Sequence, residues 1–546
     1  MPVVSIELKR LERLVGVPTK VLLQRLPYIG LDIESVEAGS VRVEYSPNRP
    51  DFGTDYGIAR ALRGLLGIEL GLPRYRLSRS GVSVKVDGAL SRVRPFIACV
   101  VASGLRLDSE DIRQLISLQE DLHEGLGRRR RRVAIGLHDL SRVKQPLFYE
   151  GLPPSFSFVP LDMKEEMSLA RILKETDVGR RYSGALDGAS VYPVIRDSSG
   201  TVLSFPPIVN GNVTRVTTET RELLVDVTGT EKAAGDDVLA IFASTLGEMG
   251  GRLGTVEIIS GSERRVTPDI KPRAAPLDSA LVREVTGLEL TEREVIQCIR
   301  RSRMDVKGRK VLIPRYRVDI LHRVDIAEEV ALGYGIDRIG PLYPPSDRPG
   351  RFNPFDQFLD GVADLMAGAG FIEVMTYELT DSESLYGRFG RPSEGRIEVE
   401  NPRSSEHSVL RDSLIPSLLS VLAKNVKEEY PQRIFEIGRV YSRVGGMPRE
   451  EWHLAALSAH AGAGFTEAKM YLESFFAVSV GASVSTQPAE HWAFAPGRSA
   501  SVTAQDVFLG HIGELRPEPL VSFGLTVPAA GFELSLRPLL DSVGNT

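Results

Sequence analysis

Polar and proline-rich connectors divide the sequence into blocks, and this division most constrains what the chain can fold into. The connectors are LPRYRLSRSG (72–81), a polar stretch near 260–275, and PLYPPSDRPGRFNP (341–354). Clustered Gly, Pro and polar residues of this kind interrupt helices and strands. Because 546 residues exceed what one hydrophobic core can organise, we expect roughly three to four domains.

Composition indicates a globular protein and excludes several other classes. Hydrophobic residues make up 42% and charged residues 25% of the chain, and its net charge of −5 argues against a generally basic nucleic-acid coat. Cys99 and Cys298 form neither a disulfide framework nor a zinc ribbon, which fits a reducing compartment. No secretory signal or membrane-length apolar run is found, so we expect a cytoplasmic location and no membrane.

Apolar patterning predicts helices and strands in every block. A helix is predicted from Thr291 to Arg301, with Glu294 completing a capping box, and a strand at Lys310–Ile313. In the last block, FIEVMTYEL (371–379) and SVTAQDVFLGHIG (501–513) each predict one strand, and DQFLDGVADLMAGAG predicts a helix. The alternation suggests a sheet covered by helices.

The stretch RYRVDILHRVDIAEEVALGYGIDRI (315–339) carries four carboxylates close together. Asp325, Glu328 and Glu329 have the spacing that puts them on one side of a helix, and Asp319 precedes them in an extended segment. Converging carboxylates repel one another unless a hard cation lies among them, and all-oxygen ligation suits Mg²⁺ or Ca²⁺. A solvated acidic helix face is the alternative.

The stretch SFPPIVNGNVTRVTTETRELLVDVTGT (204–230) combines a rigid polar loop with a strand. Alternation along this strand predicts that Asp226, Thr228 and Thr230 share one face. A carboxylate and two hydroxyls there could line a small pocket that orients an amino group and a water. No histidine lies in the segment, so no Ser-His-Asp triad is predicted. An ordinary exposed strand face is the alternative.

Five consecutive arginines, Arg128–Arg132, precede an apolar strand that ends in His138-Asp139. Guanidinium groups bind phosphate well, although a charge run that serves solubility is an equally good explanation. The sequence has no GxxxxGK[ST] loop, no GxGxxG after a strand and no HExxH. ATP chemistry on a familiar mononucleotide fold is therefore not expected.

Taken together, these stretches resemble the β subunit of phenylalanyl-tRNA synthetase, of the short archaeal and eukaryotic-cytosolic type. The segment SPNRPDFGTDYGIARALRG is similar to the family's Pro-Asn-Arg segment and helix. GRRRRRVAIGLHDL and the 204–230 stretch look like the B3/B4 editing domain, and the 315–339 stretch like the end of the B5 domain. NPRSSEHSVLRDSLIPSLLSVLAKN, RIFEIGRVY and APGRSASVTAQDVFLGHIGELRPEPLVSFGL look like the synthetase-like B6/B7 core.

The resemblance implies an α+β multidomain fold. It places an N-terminal B1-like domain at 1–85, a B3/B4-like editing domain at 86–262 and a small winged-helix-like B5 domain at 268–345. A degenerate class II synthetase-like antiparallel sheet core, B6/B7-like, would occupy 346–546.

The resemblance also implies two sites. The family's acidic B5 cluster is a magnesium site facing the α subunit, and its ligands here would be Asp319, Asp325, Glu328 and Glu329. The family's editing pocket, which hydrolyses mischarged Tyr-tRNA(Phe), maps onto Asp226 and Thr228, with Ser204 and Asn210 as further members. An apolar synthetic pocket rejects an added hydroxyl by only about a hundredfold, which is why a second, hydrolytic site is needed.

In the family, a catalytic α subunit binds ATP and phenylalanine within an (αβ)₂ heterotetramer that acts on tRNA(Phe). Class II enzymes grip ATP with an Arg-X-Glu pair and a later glycine-rich helix bearing arginine. Here Ile434 stands two residues before Glu436, and FGLTVPAAGFELSL carries neither feature. The resemblance therefore implies a catalytically silent scaffold that supports the α subunit.

Two other functions compete with this one. A free-standing Mg²⁺ phosphohydrolase could be built on the carboxylate helix, although nothing in the sequence supplies its nucleophile. A tRNA-binding scaffold with a decayed editing pocket would use the arginine run equally well.

Overall fold

The structure is a computed structural model that describes residues 2–344, 350–479 and 483–539. It consists of two compact units, Met1–Tyr343 and Pro344–Thr546. The predicted connector 341–354 spans this division, and the domain boundary predicted between residues 345 and 346 lies outside the described residues. No helix in the described part is long and apolar enough to cross a membrane.

The first block of unit 1 is a small antiparallel sheet with three helices. Its strands, in spatial order, are Val3–Glu7, Ser40–Tyr45 and Leu31–Glu37, and its helices are Leu8–Val15, Thr19–Arg25 and Asp55–Leu65. The last helix begins where Thr54 accepts a hydrogen bond from the Gly57 N–H. Ile58, Ala59 and Leu62 of this helix are buried against the sheet.

A ten-stranded mixed sheet forms the centre of unit 1. The connectors predicted at 72–81 and near 260–275 are wrong in part, because the strands Leu77–Val86 and Glu263–Thr267 of this sheet overlap them. Its strand order is Val209–Asn210, Val202–Phe205, Tyr192–Arg196, Leu147–Leu152, Leu77–Val86, Arg252–Ser260, Phe96–Ser103, Glu222–Gly229 and Val133–Asp139, with Glu263–Thr267 paired to Arg252–Ser260. The helices around it are Ser109–Glu124, Leu169–Glu175, Asp177–Tyr182 and Lys232–Glu248.

The two faces of this sheet differ because side chains alternate along each strand. Val225 and Val227 pack into an apolar core with the helices Ser109–Glu124 and Lys232–Glu248. Asp226, between these two valines, therefore faces away from that core. The sheet also curls, so that its two end strands meet: the Asn210 side chain donates to the Leu137 carbonyl at 3.4 Å.

The third block of unit 1 has three helices and a three-stranded sheet, as the winged-helix-like prediction requires. The helices are Ser279–Thr286, Glu292–Arg301 and Arg323–Tyr334, and the strands are Arg273–Pro276, Lys310–Ile313 and Asp305–Lys307. The predicted strand is confirmed. The predicted capping box is confirmed too, because Thr291 and Glu294 each accept a hydrogen bond from the other's backbone N–H.

Unit 2 is built on a seven-stranded, mainly antiparallel sheet covered on both faces. Its strand order is Ile372–Glu373, Gln432–Val444, Met447–Ala459, Ala529–Ser535, Val507–Leu515, Phe494–Ala504 and Val484–Pro488. The helices are Pro354–Gly368, Ser382–Leu385, Ile415–Lys424, Phe465–Ser479 and Pro517–Ser522. Leu454 and Ala456 pack into one core and Ala455 and Leu457 into another, as alternation demands. The α+β multidomain fold class is confirmed.

Two strand predictions in unit 2 are wrong in detail. The segment 371–379 is not one strand: strand pairing stops after Glu373 and resumes only at Leu379. Between them, Thr376 donates its hydroxyl to Glu436 at 2.7 Å, which takes the segment out of the ladder. The segment 501–513 is a hairpin, because Gln505 and Asp506 both have a positive φ, of 50° and 64°, and reverse the chain.

Candidate functional site

A cavity of about 330 Å³ opens on the curled face of the ten-stranded sheet. It brings together the four predicted pocket residues, Ser204, Asn210, Asp226 and Thr228. Thr230, predicted to share a face with Asp226 and Thr228, is exposed beyond the end of the strand and does not line the cavity. The other lining residues are Ile116, Gln119, Glu120, Arg130, Ala134, Ile135, Gly136, Leu161, Asp162, Val178, Phe205, Pro206, Pro207, Ile208 and Val209.

Ser204 contributes a buried hydroxyl that has no partner. It stands directly opposite Asn210 in the antiparallel pair of short strands that forms one wall. Its side chain is buried, and its Oγ forms no hydrogen bond with any described residue. An unpaired buried hydroxyl destabilises a protein by about 1–3 kcal/mol, so a group of this kind inside a cavity indicates a polar ligand.

Asp226 is held by a histidine from the neighbouring strand. Its Oδ2 lies 2.8 Å from Nε2 of the fully buried His138, whose Nδ1 lies 2.8 Å from the Thr214 hydroxyl. Gly136 stands directly opposite Asp226, and a Cβ there would collide with both Asp226 Oδ2 and His138 Nε2. The glycine therefore makes room for the carboxylate to lean towards the histidine. Asp226 Oδ1 accepts no hydrogen bond from residues in the described ranges.

Thr228 is fixed by a buried arginine. Arg94 donates from Nε to Thr228 Oγ1 at 2.9 Å and from Nη2 to the Thr228 carbonyl at 2.8 Å. Because the hydroxyl oxygen already accepts a hydrogen bond, its own proton remains to be donated. Burial lowers the pKa of Arg94 to about 10, so the guanidinium remains charged at neutral pH.

A second polar cluster closes the other side of the cavity. Glu120 accepts hydrogen bonds from Arg130 at 2.8 Å and from His123 Nδ1 at 3.2 Å. Burial raises the pKa of Glu120, but the hydrogen bond from His123 and the charge of Arg130 outweigh it and lower that pKa to about 2. Burial lowers the pKa of His123, whose Nε2 accepts the Ile135 N–H. The cavity therefore contains a carboxylate that is ionised at neutral pH.

The arginine run forms a turn at this cavity. Arg128, Arg129 and Arg130 all have left-handed backbone conformations, with φ of 47°, 54° and 62°. Arg130 points inwards, donates to the Ile208 carbonyl at 2.9 Å and lies 4.2 Å from the centre of the Tyr182 ring. Arg132 pairs with Glu231.

The four predicted metal ligands lie in one region, but two of them are bound to an arginine. Asp319 and Glu329 both accept from the buried Arg317, and Asp325 accepts from the N–H groups of Leu321 and His322 at the start of its helix. Among residues 2–344, 350–479 and 483–539, no group of three or more His, Cys, Asp or Glu has the placement of a metal site.

The charges of neighbouring carboxylates nevertheless shift the pKa of Glu328. Burial and the charges of Glu329, Asp325 and Asp319 raise the pKa of Glu328, and only Arg317 opposes them. The four side chains are thus hard oxygen donors with excess negative charge, and this chemistry fits a divalent cation. The magnesium site stays a prediction.

The sheet of unit 2 carries a larger cavity, of about 820 Å³. Aromatic and charged residues line it, among them Arg391, Asp412, Trp452, His453, Trp492, His511 and Glu533. Glu436, the residue that would belong to an ATP-binding pair, is buried and bound to Arg411 at 2.7 Å and to Thr376. It therefore has a structural role within this unit.

Sequence reasoning missed the residues that support the pocket: Arg94, Glu120, Arg130, His138 and Thr214. Arg130 and His138 stood in segments that the sequence had singled out, the arginine run and the strand after it, but neither was assigned to the pocket. In VAIGLHD, alternation places Gly136 and His138 on the face opposite Ile135 and Leu137, the face that Asp226 shares. Arg94, Glu120 and Thr214 come from helices and loops whose approach no local pattern reveals.

Comparison with known proteins supports one family throughout the chain. Residues 276–336 match the family model "tRNA synthetase B5 domain", and residues 342–536 match "Phenylalanyl tRNA synthetase beta chain CLM domain". The chain is 40% identical to the phenylalanine–tRNA ligase β subunit of Archaeoglobus fulgidus, over 99% of both chains. It is 38% identical to that of Pyrococcus horikoshii, over 90% of both chains.

A solved structure extends the comparison to unit 1. A crystal structure of an N-terminal fragment of the Pyrococcus horikoshii phenylalanyl-tRNA synthetase β subunit is similar, with a TM-score of 0.59 and 35% sequence identity. It covers 61% of this chain and 100% of the fragment. With full-length relatives at this identity and family models covering most of the chain beyond residue 275, the chain belongs to the family of phenylalanine–tRNA ligase β subunits.

Proposed function

We propose that the 330 Å³ cavity is an editing site that hydrolyses mischarged tyrosyl-tRNA(Phe). The observation that carries this proposal is the buried, unpartnered Ser204 hydroxyl in a cavity that also contains Asp226 and Thr228. Tyrosine differs from phenylalanine by one hydroxyl, which can pair with a protein group of this kind. Phenylalanine would leave the polar wall unpaired, and this penalty spares the correct product.

The residues suit hydrolysis of an ester without a nucleophilic side chain. Asp226, oriented by His138, has one carboxylate oxygen free to accept from the substrate's amino group or from a water. Thr228 can donate its hydroxyl proton, because Arg94 occupies one of its acceptor positions. The water adds to the ester carbonyl carbon, and the ribose oxygen leaves with a proton. We also propose that the tRNA itself assists this hydrolysis.

The test is hydrolysis of tyrosyl-tRNA and phenylalanyl-tRNA by the complex of this chain with its α subunit, wild type beside Asp226→Ala. We expect the wild type to hydrolyse tyrosyl-tRNA selectively and the variant to lose this activity about 100-fold or more. Asp162→Ala is a matched control, because Asp162 also lines the cavity but is exposed and paired with Arg215.

The competing function is a tRNA-binding scaffold whose pocket has decayed. It predicts no hydrolysis by the wild type and no effect of Asp226→Ala. The fixed positions of Asp226 and Thr228 favour the editing site. Each is held by a buried polar side chain, His138 or Arg94, and a pocket without a function would not need these hydrogen bonds.

We further propose that phenylalanine and ATP bind to a separate α subunit, in a cytoplasmic (αβ)₂ heterotetramer that charges tRNA(Phe). The engagement of Glu436 by Arg411 supports a class II-like core that is catalytically silent in this chain. An exposed apolar strip of unit 2, formed by Ile372, Met375 and Tyr377, is a suitable surface for the partner.

A structural Mg²⁺ at Asp319, Asp325, Glu328 and Glu329 completes the proposal. Bound there, the ion would neutralise the excess negative charge of this cluster. Glu328, whose pKa is raised by partial burial and by the charges of the neighbouring carboxylates, supports this assignment, and Arg317 already neutralises part of the cluster.

The metal proposal is tested with Glu328→Gln and Asp325→Asn, which keep an acceptor at each position. We expect Mg²⁺ to raise the melting temperature of the wild-type complex and chelation to lower it, with both effects lost in the double variant. An equal response of wild type and variant to Mg²⁺ would exclude this site.

A further inference from the structure

The arginine turn, residues Arg128–Arg131, contains three arginines that have no role in the proposed editing cavity. Only Arg130 lines the cavity, while the side chains of Arg128, Arg129 and Arg131 are exposed to solvent. We propose that these three exposed arginines bind backbone phosphates of the single-stranded 3′ end of tRNA and guide its aminoacyl end into the cavity. This inference rests on the proposed editing function.

The turn is built into the cavity wall. Arg130 donates to the carbonyl of Ile208, a residue of the loop that also lines the cavity. Buried Arg94 donates to the carbonyls of Arg130 and Arg131, at 3.3 and 3.4 Å, while its other nitrogens hold Thr228. One side chain thus links the turn to the pocket floor. The exposed arginines therefore have a fixed position at the rim.

The backbone conformation of the turn indicates that its arginine side chains have a function. Three successive residues adopt the left-handed conformation, which a Cβ disfavours and which glycine adopts freely. The sequence places arginine at all three positions, directly after Gly127. Strain of this kind is concentrated at functional sites, where the surrounding structure maintains it. The conformation also directs Arg130 inwards and leaves its neighbours outside.

The charge of the turn is only partly compensated: Glu231 pairs with Arg132 and is close enough for the charge of Arg128 to act on it as well. Within the described residues, Arg128 and Arg131 form no ion pair, and the only carboxylate near Arg129 is Glu124, at 3.5 Å. Arg129 is 83% exposed, and Glu124 is shared with Arg181. The chain as a whole has a net charge of −5, so this rim is a local exception. Guanidinium groups bind phosphate oxygens by paired hydrogen bonds, and the single-stranded end of a tRNA offers one phosphate per nucleotide.

The experiment uses the complex with the α subunit and the variant Arg128→Gln/Arg129→Gln/Arg131→Gln. Its matched control is Arg76→Gln/Arg79→Gln/Arg106→Gln, which removes the same charge from exposed arginines that do not line the cavity. For hydrolysis of tyrosyl-tRNA, we expect the turn variant to raise KM about tenfold with kcat unchanged. The slope of log(kcat/KM) against log salt should become shallower by about 2, since each lost phosphate contact removes about 0.7.

A minimal ester separates phosphate binding from chemistry. We expect hydrolysis of 3′-O-tyrosyl-adenosine, which has no upstream phosphates, to be the same in wild type, turn variant and control. Equal loss on both substrates would mean that the turn shapes the cavity, and an unchanged KM for tyrosyl-tRNA would mean that it does not touch RNA. Either result overturns the proposal.

If the wild type hydrolyses neither substrate, the editing function itself is rejected. The phosphate-binding role of the turn can still be tested by measuring RNA binding. Fluorescence anisotropy with a short single-stranded RNA ending in CCA then tests the turn directly. Weaker binding by the turn variant, with the control variant unchanged, supports the phosphate-binding role. Equal affinity of all three proteins rejects it.

Discussion

In the proposed editing site, selectivity would depend on a single unpaired oxygen, the hydroxyl of Ser204. Because its hydroxyl is buried without a partner, Ser204→Ala removes an unsatisfied group and should leave the free energy of unfolding unchanged or raise it by up to about 1 kcal/mol. The same change removes the group that would pair with the tyrosine hydroxyl. We expect the preference for tyrosyl-tRNA over phenylalanyl-tRNA to fall about tenfold. Parallel unfolding and deacylation measurements check both expectations, and a loss of stability without a loss of selectivity would contradict them.

Gly136 matters because it has no side chain. In Gly136→Ala, the new methyl group would push Asp226 and His138 apart. We expect kcat for deacylation to fall at least about tenfold, with the fold retained and the affinity for tRNA unchanged. Gly88→Ala is the control, since a Cβ at that position meets no atom within 4 Å. Equal activity of the two variants would show that the contact between Asp226 and His138 is not needed.

Residue-scale prediction from sequence depended on strand alternation and on resemblance. Alternation put Asp226 and Thr228 on one face, and both line the cavity. It also put Thr230 there, although the strand ends at Gly229 and the alternation stops with it. The contact between His138 and Asp226 was not predicted, because it depends on the pairing of two strands that are distant in the sequence.

At the scale of elements, the larger cavity of unit 2 contains a contact between two strands, from His453 Nδ1 to Glu533 at 2.8 Å, whose contribution to stability should depend on pH. Burial lowers the pKa of His453, but its hydrogen bond to Glu533 and the charges of Glu533 and Glu451 raise it above the usual 6.5. A raised pKa in the folded state stabilises the protein fully below the unfolded value, and this contribution is lost as the pH rises through the folded value.

We therefore expect the stability difference between wild type and His453→Gln to be largest below pH 6.5 and to shrink at higher pH. Tryptophan fluorescence reports this unit selectively, because the chain's two tryptophans, Trp452 and Trp492, both line this cavity. Denaturant titrations of both proteins across this pH range provide the measurement. A stability difference that stays constant with pH would show that the ion pair between His453 and Glu533 does not contribute to the free energy of unfolding.

Element boundaries could be predicted where the signal was local. Capping chemistry fixed the helix after Thr291, and alternation fixed the strand at Lys310–Ile313. The residue pattern of the segment 371–379 predicts a strand. A carboxylate distant in the sequence, Glu436, binds Thr376 and interrupts that strand. The hairpin at Gln505-Asp506 was missed because neither residue is the glycine or asparagine that usually marks such a turn.

At the scale of the whole molecule, the proposed heterotetramer requires a surface for the α subunit. Met375 is 93% exposed and Tyr377 is 79% exposed, both on the apolar strip of unit 2. Burying such side chains in an interface contributes strongly to affinity, and a charge there opposes association. We expect Met375→Asp/Tyr377→Asp to weaken binding of the α subunit about tenfold or more.

The control for this prediction is Val521→Asp, at another exposed apolar residue of unit 2. Analytical ultracentrifugation of the mixed subunits measures the association. Full assembly of the double variant would place the interface elsewhere.

The curled sheet has a consequence for when the proposed editing cavity forms during folding. Its walls come from Glu120, Gly136, Ser204 and Thr228, which are separated by many residues along the chain, and the two end strands meet only when the whole sheet is paired. Loops of this length close slowly, so the cavity should be among the last features of unit 1 to form during folding. Recovery of the proposed tyrosyl-tRNA hydrolysis would then lag behind recovery of secondary structure, and a newly made chain would complete the cavity only after most of its fold is in place.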